Sequence, residues 1–358
     1  MINIFVSIEL NKIKFLNKYN DLFKKYNINF HSSLKDCHIV LFFYNLGKPT
    51  IIRQEILNHF YINTNIKYDC LNEEKCIEYL IEKLNKKVII YFRSDSSVIR
   101  HSINELIKKY KDILFVMRDY ILKEQKIFLT SSNNHFKYLI HKYFENKEGN
   151  QRNINKIFNL LNKYFCYTFP YFDYVGYGFS ELNNEIKNHN KLYDIFFVKN
   201  YRENTLNCLL RKKTLKFLLN FNNKNNNKFN ICWKPCTKEE YNSRLLQSKI
   251  CISTWGIGES LRDDYFCVLN NIICLKIDTS FTKDFYGLFK KDKLFYTYNI
   301  DFSNFESKLL ELLERYHHYQ KINKKNIKSF FNKYTLDYHV KVLSNKINEE
   351  VKNYSNNK

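Results

Sequence analysis

The run CISTWGIGESLRDDYF, residues 251–266, sets Gly256 and Gly258 two apart beside Glu259, Ser260, Arg262 and Asp263. Only seven glycines occur among 358 residues, so two in one loop stand out against the rest of the chain. Glycine after a strand lets the backbone turn sharply and brings bare N–H groups close to a ligand. A helix starting near 259 or 260 aims its positive end at the same spot. A diphosphate or a sugar hydroxyl is what such a turn can hold from Gly256 through Ser260. A bound diphosphate also calls for cations, and Arg244, Lys249 and Arg262 are the candidates nearest in sequence. The bland alternative is a tight turn with no ligand.

The loop needs a scaffold, and the hydrophobic pattern supplies one. INIFVSI (2–8), HIVLFFY (38–44), KVIIYF (87–92) and DILFVM (112–117) are short, rich in β-branched and aromatic residues, and predict buried strands. EEKCIEYLIEKLNKK and VIRHSINELIKKYKD, apolar at i, i+3, i+4 and i+7, predict helices between them. A second series, DIFFV (194–198), FNICW (229–233), KICIST (249–254) and IICLKI (272–277), follows a polar stretch at 146–153. FNNKNNNKFN (221–230) predicts a solvated helix-to-strand connection. Alternating strands and helices indicate parallel α/β units. The expected organisation is a Rossmann-like domain over 1–160, a second over 161–345, and a flexible tail at 346–358.

Open α/β sheets bind ligands beyond the carboxyl ends of their strands. Those positions carry Arg93, Ser94 and Asp95, then Arg118 and Asp119, then Lys199, Asn200, Tyr201 and Arg202, and finally Asp278. Singly, each suits a helix cap or a solvated loop. Together they place Arg93, Arg118, Lys199 and Arg202 around one crevice, as a diphosphate would require.

The stretch YNSRLLQSKICISTWGIGESLRDDYFCVLNNIICLKID (241–278) resembles the donor-binding half of GT-B glycosyltransferases, in their group 1-like and exostosin-like branches. YDIFFVKNYRE…RKKTLKFL (193–218) is similar to that half's opening strand and basic first helix, and YHHYQKINKKNIKSFFNKYTLDYHV to its closing helices. The resemblance covers about 193–340; residues 1–150 match in architecture alone. It implies a GT-B fold, two Rossmann-like domains facing across a cleft, with a nucleoside-diphosphate sugar as donor, no bound metal and no cofactor. Gly258 and Glu259 fall on the family's Gly-Glu and Arg262 on its arginine. Lys199, Arg244, Lys249, Gly256, Gly258, Glu259, Ser260, Arg262 and Asp263 are then the donor-binding candidates, with Glu259 also a catalytic one. The family's acidic residue three positions after the arginine is Tyr265 here, and its glycine near 270 is Asn270. Asp263 or Asp264 would have to supply the missing carboxylate.

An inverting transfer would need a general base near the acceptor hydroxyl. Asp95 and Asp119 are the candidates, with His38 and His101 behind them; a retaining transfer needs none. The acceptor, a glycan, protein or lipid, falls to the N-terminal domain. YFDYVGYGF (171–179) holds the other close glycine pair and reads as core and hinge.

The net charge of +22 suggests a polyanion. Yet lysine is dispersed, and the surplus of Lys, Asn, Ile, Phe and Tyr over Gly, Ala and Pro is that of an AT-rich coding sequence. No nucleic-acid-binding motif appears, so nucleic acid is the weaker alternative and a catalytically degenerate GT-B scaffold the stronger. The ten cysteines form no CxxC pair and no zinc set, as expected of reduced thiols in the cytoplasm. No apolar run approaches the roughly 18 residues that a transmembrane helix takes.

Overall fold

The computed structural model describes residues 1–7, 14–31, 33–44, 73–92, 101–118, 120–122, 163–167, 189–199, 206–254, 262–279, 282–285, 287 and 294–356. The chain divides into two compact units, Met1–Ser180 with Leu336–Lys358, and Glu181–Thr335.

The first unit is built on a six-stranded sheet in the order β2-β1-β3-β4-β5-β7. Its strands are β1 (Ile2–Val6), β2 (Ile28–His31), β3 (Ile39–Tyr44), β4 (Lys87–Phe92), β5 (Ile113–Arg118) and β7 (Tyr164–Cys166). All of these neighbours are parallel, with Ile4 opposite Ile39 and Val40 opposite Val88. Every residue of β3 and β5 is buried. That is why these strands read as unbroken apolar runs: a parallel sheet is covered on both faces. Helices α1 (Lys14–Lys18), α2 (Asn20–Lys24), α3 (Glu73–Glu82) and α4 (His101–Lys109) lie between the strands in sequence. Cys76, Ile77 and Leu80 of α3 join Val40, Phe42, Val88 and Ile90 in the core.

The second unit repeats the plan with five parallel strands in the order β13-β11-β10-β8-β9. These are β8 (Tyr193–Phe196), β9 (Ile231–Cys232), β10 (Ser248–Ser253), β11 (Ile273–Ile277) and β13 (Phe295–Tyr298). Its helices are α5 (Leu206–Lys224), α6 (Lys238–Leu246), α7 (Arg262–Leu269), α8 (Phe305–Glu314) and α9 (Tyr316–Lys333). Two short strands, β6 (Tyr120–Leu122) and β12 (Thr282–Asp284), stand outside both sheets. Numbered along the chain within each unit, both sheets begin 2-1-3-4-5, the flavodoxin-like variant of the doubly wound, Rossmann-like plan. The expected pair of parallel α/β units is therefore what the chain forms.

Three details depart from the sequence reading. The segment 346–358, expected to be a loose tail, is helical to Asn356 as part of α10 (Leu336–Asn356). This helix belongs to the first unit: Tyr354 Oη donates to Asp112 Oδ1 at 2.5 Å, and Asn348 Nδ2 to the Tyr26 carbonyl at 3.1 Å. Helix α5 continues into the asparagine-rich stretch as far as Lys224, so the loop there is shorter than expected.

The scarcity of glycine is met by asparagine. Among the described residues, six non-glycine residues have positive φ, and five of them are Asn27, Asn85, Asn226, Asn227 and Asn271. Asparagine tolerates the left-handed region better than any other residue with a Cβ. The turn out of α7 depends on it: Asn271 has φ 51°, and the Ile272 N–H closes on the Cys267 carbonyl at 3.0 Å. The turn expected from a glycine near 270 is made one residue later by Asn271, held by Asn323 Nδ2 at 3.1 Å.

Candidate functional site

Strand order sets where a ligand can sit in the second unit. Strands β8 and β10 are neighbours, but the chain leaves β8 toward β9 on one side and β10 toward β11 on the other. Connections that diverge in this way open a crevice beyond the carboxyl ends of the two strands. The glycine-containing segment 255–260 leaves β10 at that point and leads into α7. Gly256, Gly258, Glu259 and Ser260 themselves lie outside the described residues. So do Arg93, Ser94, Asp95, Asp119, Asn200, Tyr201, Arg202 and the 171–179 glycine pair. Arg262 is the first residue of α7, its backbone at the positive end of the helix.

The flanks of the segment are tied down by two adjacent carboxylates. Asp263 Oδ2 accepts from Lys199 Nζ at 2.5 Å and from Tyr241 Oη at 2.7 Å. This joins the N-terminus of α7 to the chain just past β8 and to α6. Lys199 is only 6% exposed. Burial opposes its charge, but Asp263, with Tyr241 beside it, holds the ammonium pKa well above the ordinary lysine value. Burial in turn pushes the Tyr241 phenol well above its usual range, so it donates to the carboxylate as a neutral group. The Tyr241 ring packs edge-on against Phe196 of β8, centroids 5.0 Å apart.

Asp264 faces the sheet. Its Oδ2 accepts from Lys276 Nζ and its Oδ1 from Ser253 Oγ, each at 2.6 Å. Ser253 and Lys276 are paired residues of β10 and β11, so their side chains share a sheet face. Both Lys276 and Asp264 are wholly buried. Tyr265 is buried too; the position where the resemblance expects an acidic donor contact is a core position in this chain.

Two expected site residues of the second unit stand away from the carboxyl end of β10. Lys249 is the second residue of β10, about 13 Å along the strand from Ser253 at ~3.3 Å per residue, and pairs with Asp194 Oδ1 at 2.6 Å. Arg244 sits in the last turn of α6, bonded to Glu240 Oε1 at 3.1 Å. That helix starts with a capping box between Thr237 and Glu240, so Glu240 serves the helix with both carboxylate oxygens. In the first unit, Arg118 is buried with its guanidinium 4.8 Å above the Phe92 ring, and His38 is exposed ahead of β3. Of the four cations expected around one crevice, Arg93 and Arg202 lie outside the described residues, Arg118 lies over Phe92, and Lys199 is paired with Asp263. Lys199 and Asp263 offset each other beside the loop.

Lys276 and Tyr241 were not foreseen. The signal for Lys276 was present in IICLKI: a lysine inside an otherwise buried strand needs a carboxylate partner. Among the described residues no cluster of three or more His, Cys, Asp or Glu could hold a metal ion, and no helix is long and apolar enough to cross a membrane. The nine described cysteines are free thiols.

No family model matches the sequence, and no curated protein matches it. Among solved structures the chain is similar to TarM, with TM-score 0.40 and 15% identity over 77% of this chain and 58% of that one. The match thus spans less than two thirds of that protein's length. It is also similar to an alpha-glucosyltransferase solved with UDP-glucose and DNA containing an abasic site. There the TM-score is 0.39 and the identity 12%, over 92% of this chain and 94% of that one. At scores of this size the strand order, rather than either neighbour, carries the fold assignment.

Proposed function

We propose that the chain is a GT-B-type glycosyltransferase, which moves a sugar from a nucleoside-diphosphate sugar to a glycan, protein or lipid acceptor. The observation that carries this reading is the strand order of the second unit, which puts the carboxyl end of β10 beside β8 at a topological switch point. In sequence, the matching Gly-Glu lies between β10 and α7, and the matching arginine opens α7. The donor diphosphate is bound there by loop N–H groups, the positive end of α7 and Arg262. These groups also stabilise the negative charge that develops as the sugar leaves.

Lys199 and Asp263 hold the rim of this site and do not contact the donor, because each satisfies the other. Glu259 contacts the ribose or the sugar. Asp95 or Asp119 of the first unit takes the acceptor proton if the transfer inverts. The resemblance implies that no bound metal is needed.

The burial of Tyr265 favours a second reading, a scaffold that binds nucleotide without turning it over. A panel of nucleotide sugars, followed both by thermal shift and by release of nucleoside diphosphate, separates the two. Shift with release indicates the enzyme, shift alone indicates the scaffold, and neither response from any donor defeats both.

A further inference from the structure

Resting on that reading, we propose that Asp264, Lys276 and Ser253 act as positioning residues that fix the start of α7, and with it the exit of the donor loop, against the sheet. Asp264 is the third residue of α7, two positions after the loop's matching arginine. It is reached from below by two paired residues of adjacent strands. A single hydrogen bond would leave the helix free to pivot; two bonds to different strands on one carboxylate do not. Asp263 next to it is held from the side by Lys199 and Tyr241. Neighbouring residues of a helix point about 100° apart, so the two carboxylates fix rotation about the helix axis as well as its height over the sheet.

Stability alone gives a poor reason for this arrangement. Desolvating a lysine and a carboxylate costs about as much as their attraction returns, and apolar groups of similar volume commonly do as well or better. Apolar packing, however, is non-directional and tolerates small slides of a helix. A site made of backbone N–H groups does not tolerate them, since hydrogen bonds weaken steeply as their distance and angle depart from the preferred range.

The test compares two variants of the full chain. In Ser253→Ala/Asp264→Leu/Lys276→Met the tether is replaced by apolar volume. In Asp264→Asn/Lys276→Gln the charges are removed but the directional hydrogen bonds remain possible. Each is measured for melting temperature, for deuterium exchange of the α7 amides, and for UDP affinity by calorimetry. The triple variant is expected to melt at or above the parent temperature, to exchange faster in α7, and to bind UDP more weakly by roughly tenfold or more, as loss of one charge-assisted hydrogen bond would do. The Asn/Gln variant is expected to stay near the parent in both exchange and affinity.

Parent-like exchange in the triple variant overturns the proposal, as does faster exchange with unchanged UDP affinity. If the triple variant does not fold, a folded Asn/Gln variant that loses affinity overturns it, and one that keeps affinity supports it. Should the parent chain itself bind no nucleoside diphosphate, the functional reading falls. Exchange in α7 then judges the tether alone, faster exchange supporting it and unchanged exchange ending it.

Discussion

Lys276 Nζ lies 2.6 Å from Asp264 Oδ2, and neither side chain is accessible to solvent. Removing one member leaves the other charge buried without its counterpart, which typically costs about 3–5 kcal/mol. Lys276→Met alone should therefore lower unfolding free energy by about that amount, measured in urea, whereas the triple apolar variant should match or exceed the parent. A single variant that loses under ~1 kcal/mol would show that the pair is hydrated in solution.

Acid should weaken the first unit through His339. Its ring packs against Phe15 and Tyr167, with centroids 6.2 and 6.0 Å away, and burial lowers its pKa from 6.5 to about 3. The unfolded chain thus binds a proton between those values that the folded chain does not. The stability tied to this group is complete above pH 6.5 and is lost as pH falls toward 3, by roughly 1.4 kcal/mol per pH unit. Unfolding titrations at pH 7, 6 and 5 should show this slope reduced in His339→Phe. Equal slopes in parent and variant would mean that other groups dominate acid unfolding.

Asparagine in place of glycine makes a clean prediction at Asn85, which is exposed and has φ 48°. Asn85→Gly should be neutral or slightly stabilising, while Asn85→Ala should cost about 1 kcal/mol or more, because a Cβ clashes in the left-handed region without the local hydrogen bonding that asparagine offers. Equal stability of the two variants would contradict the assignment.

Much of the fold was legible because buried parallel strands announce themselves: KVIIYF is β4 residue for residue, and HIVLFFY and IICLKI contain β3 and β11. The strands that escaped notice are short or interrupted by polar groups. β2 is only INFH, with Asn29 hydrogen-bonded to Asn3 across the sheet at 3.1 Å, and β13 is FYTY. The site was legible as a place and less so as a set of partners. Periodicity locates the loop after β10. It gives no sign that Lys199 spends its charge on Asp263, or that Lys249 spends its own on Asp194. The first depends on how α7 packs beside β8 and the second on which strands pair, and neither is written in any one segment.

Arg262 offers the most direct test of donor binding at the switch point. Calorimetric titration of UDP, ADP and GDP into the parent chain, Arg262→Ala and Glu259→Ala should show saturable binding of at least one of them by the parent. Affinity should fall roughly tenfold or more in Arg262→Ala, as expected for loss of a charge-assisted hydrogen bond worth about 1.5–3 kcal/mol. Full parental affinity in Arg262→Ala would place the nucleotide elsewhere and contradict the account, whereas unchanged affinity in Glu259→Ala would assign Glu259 to the sugar rather than the ribose.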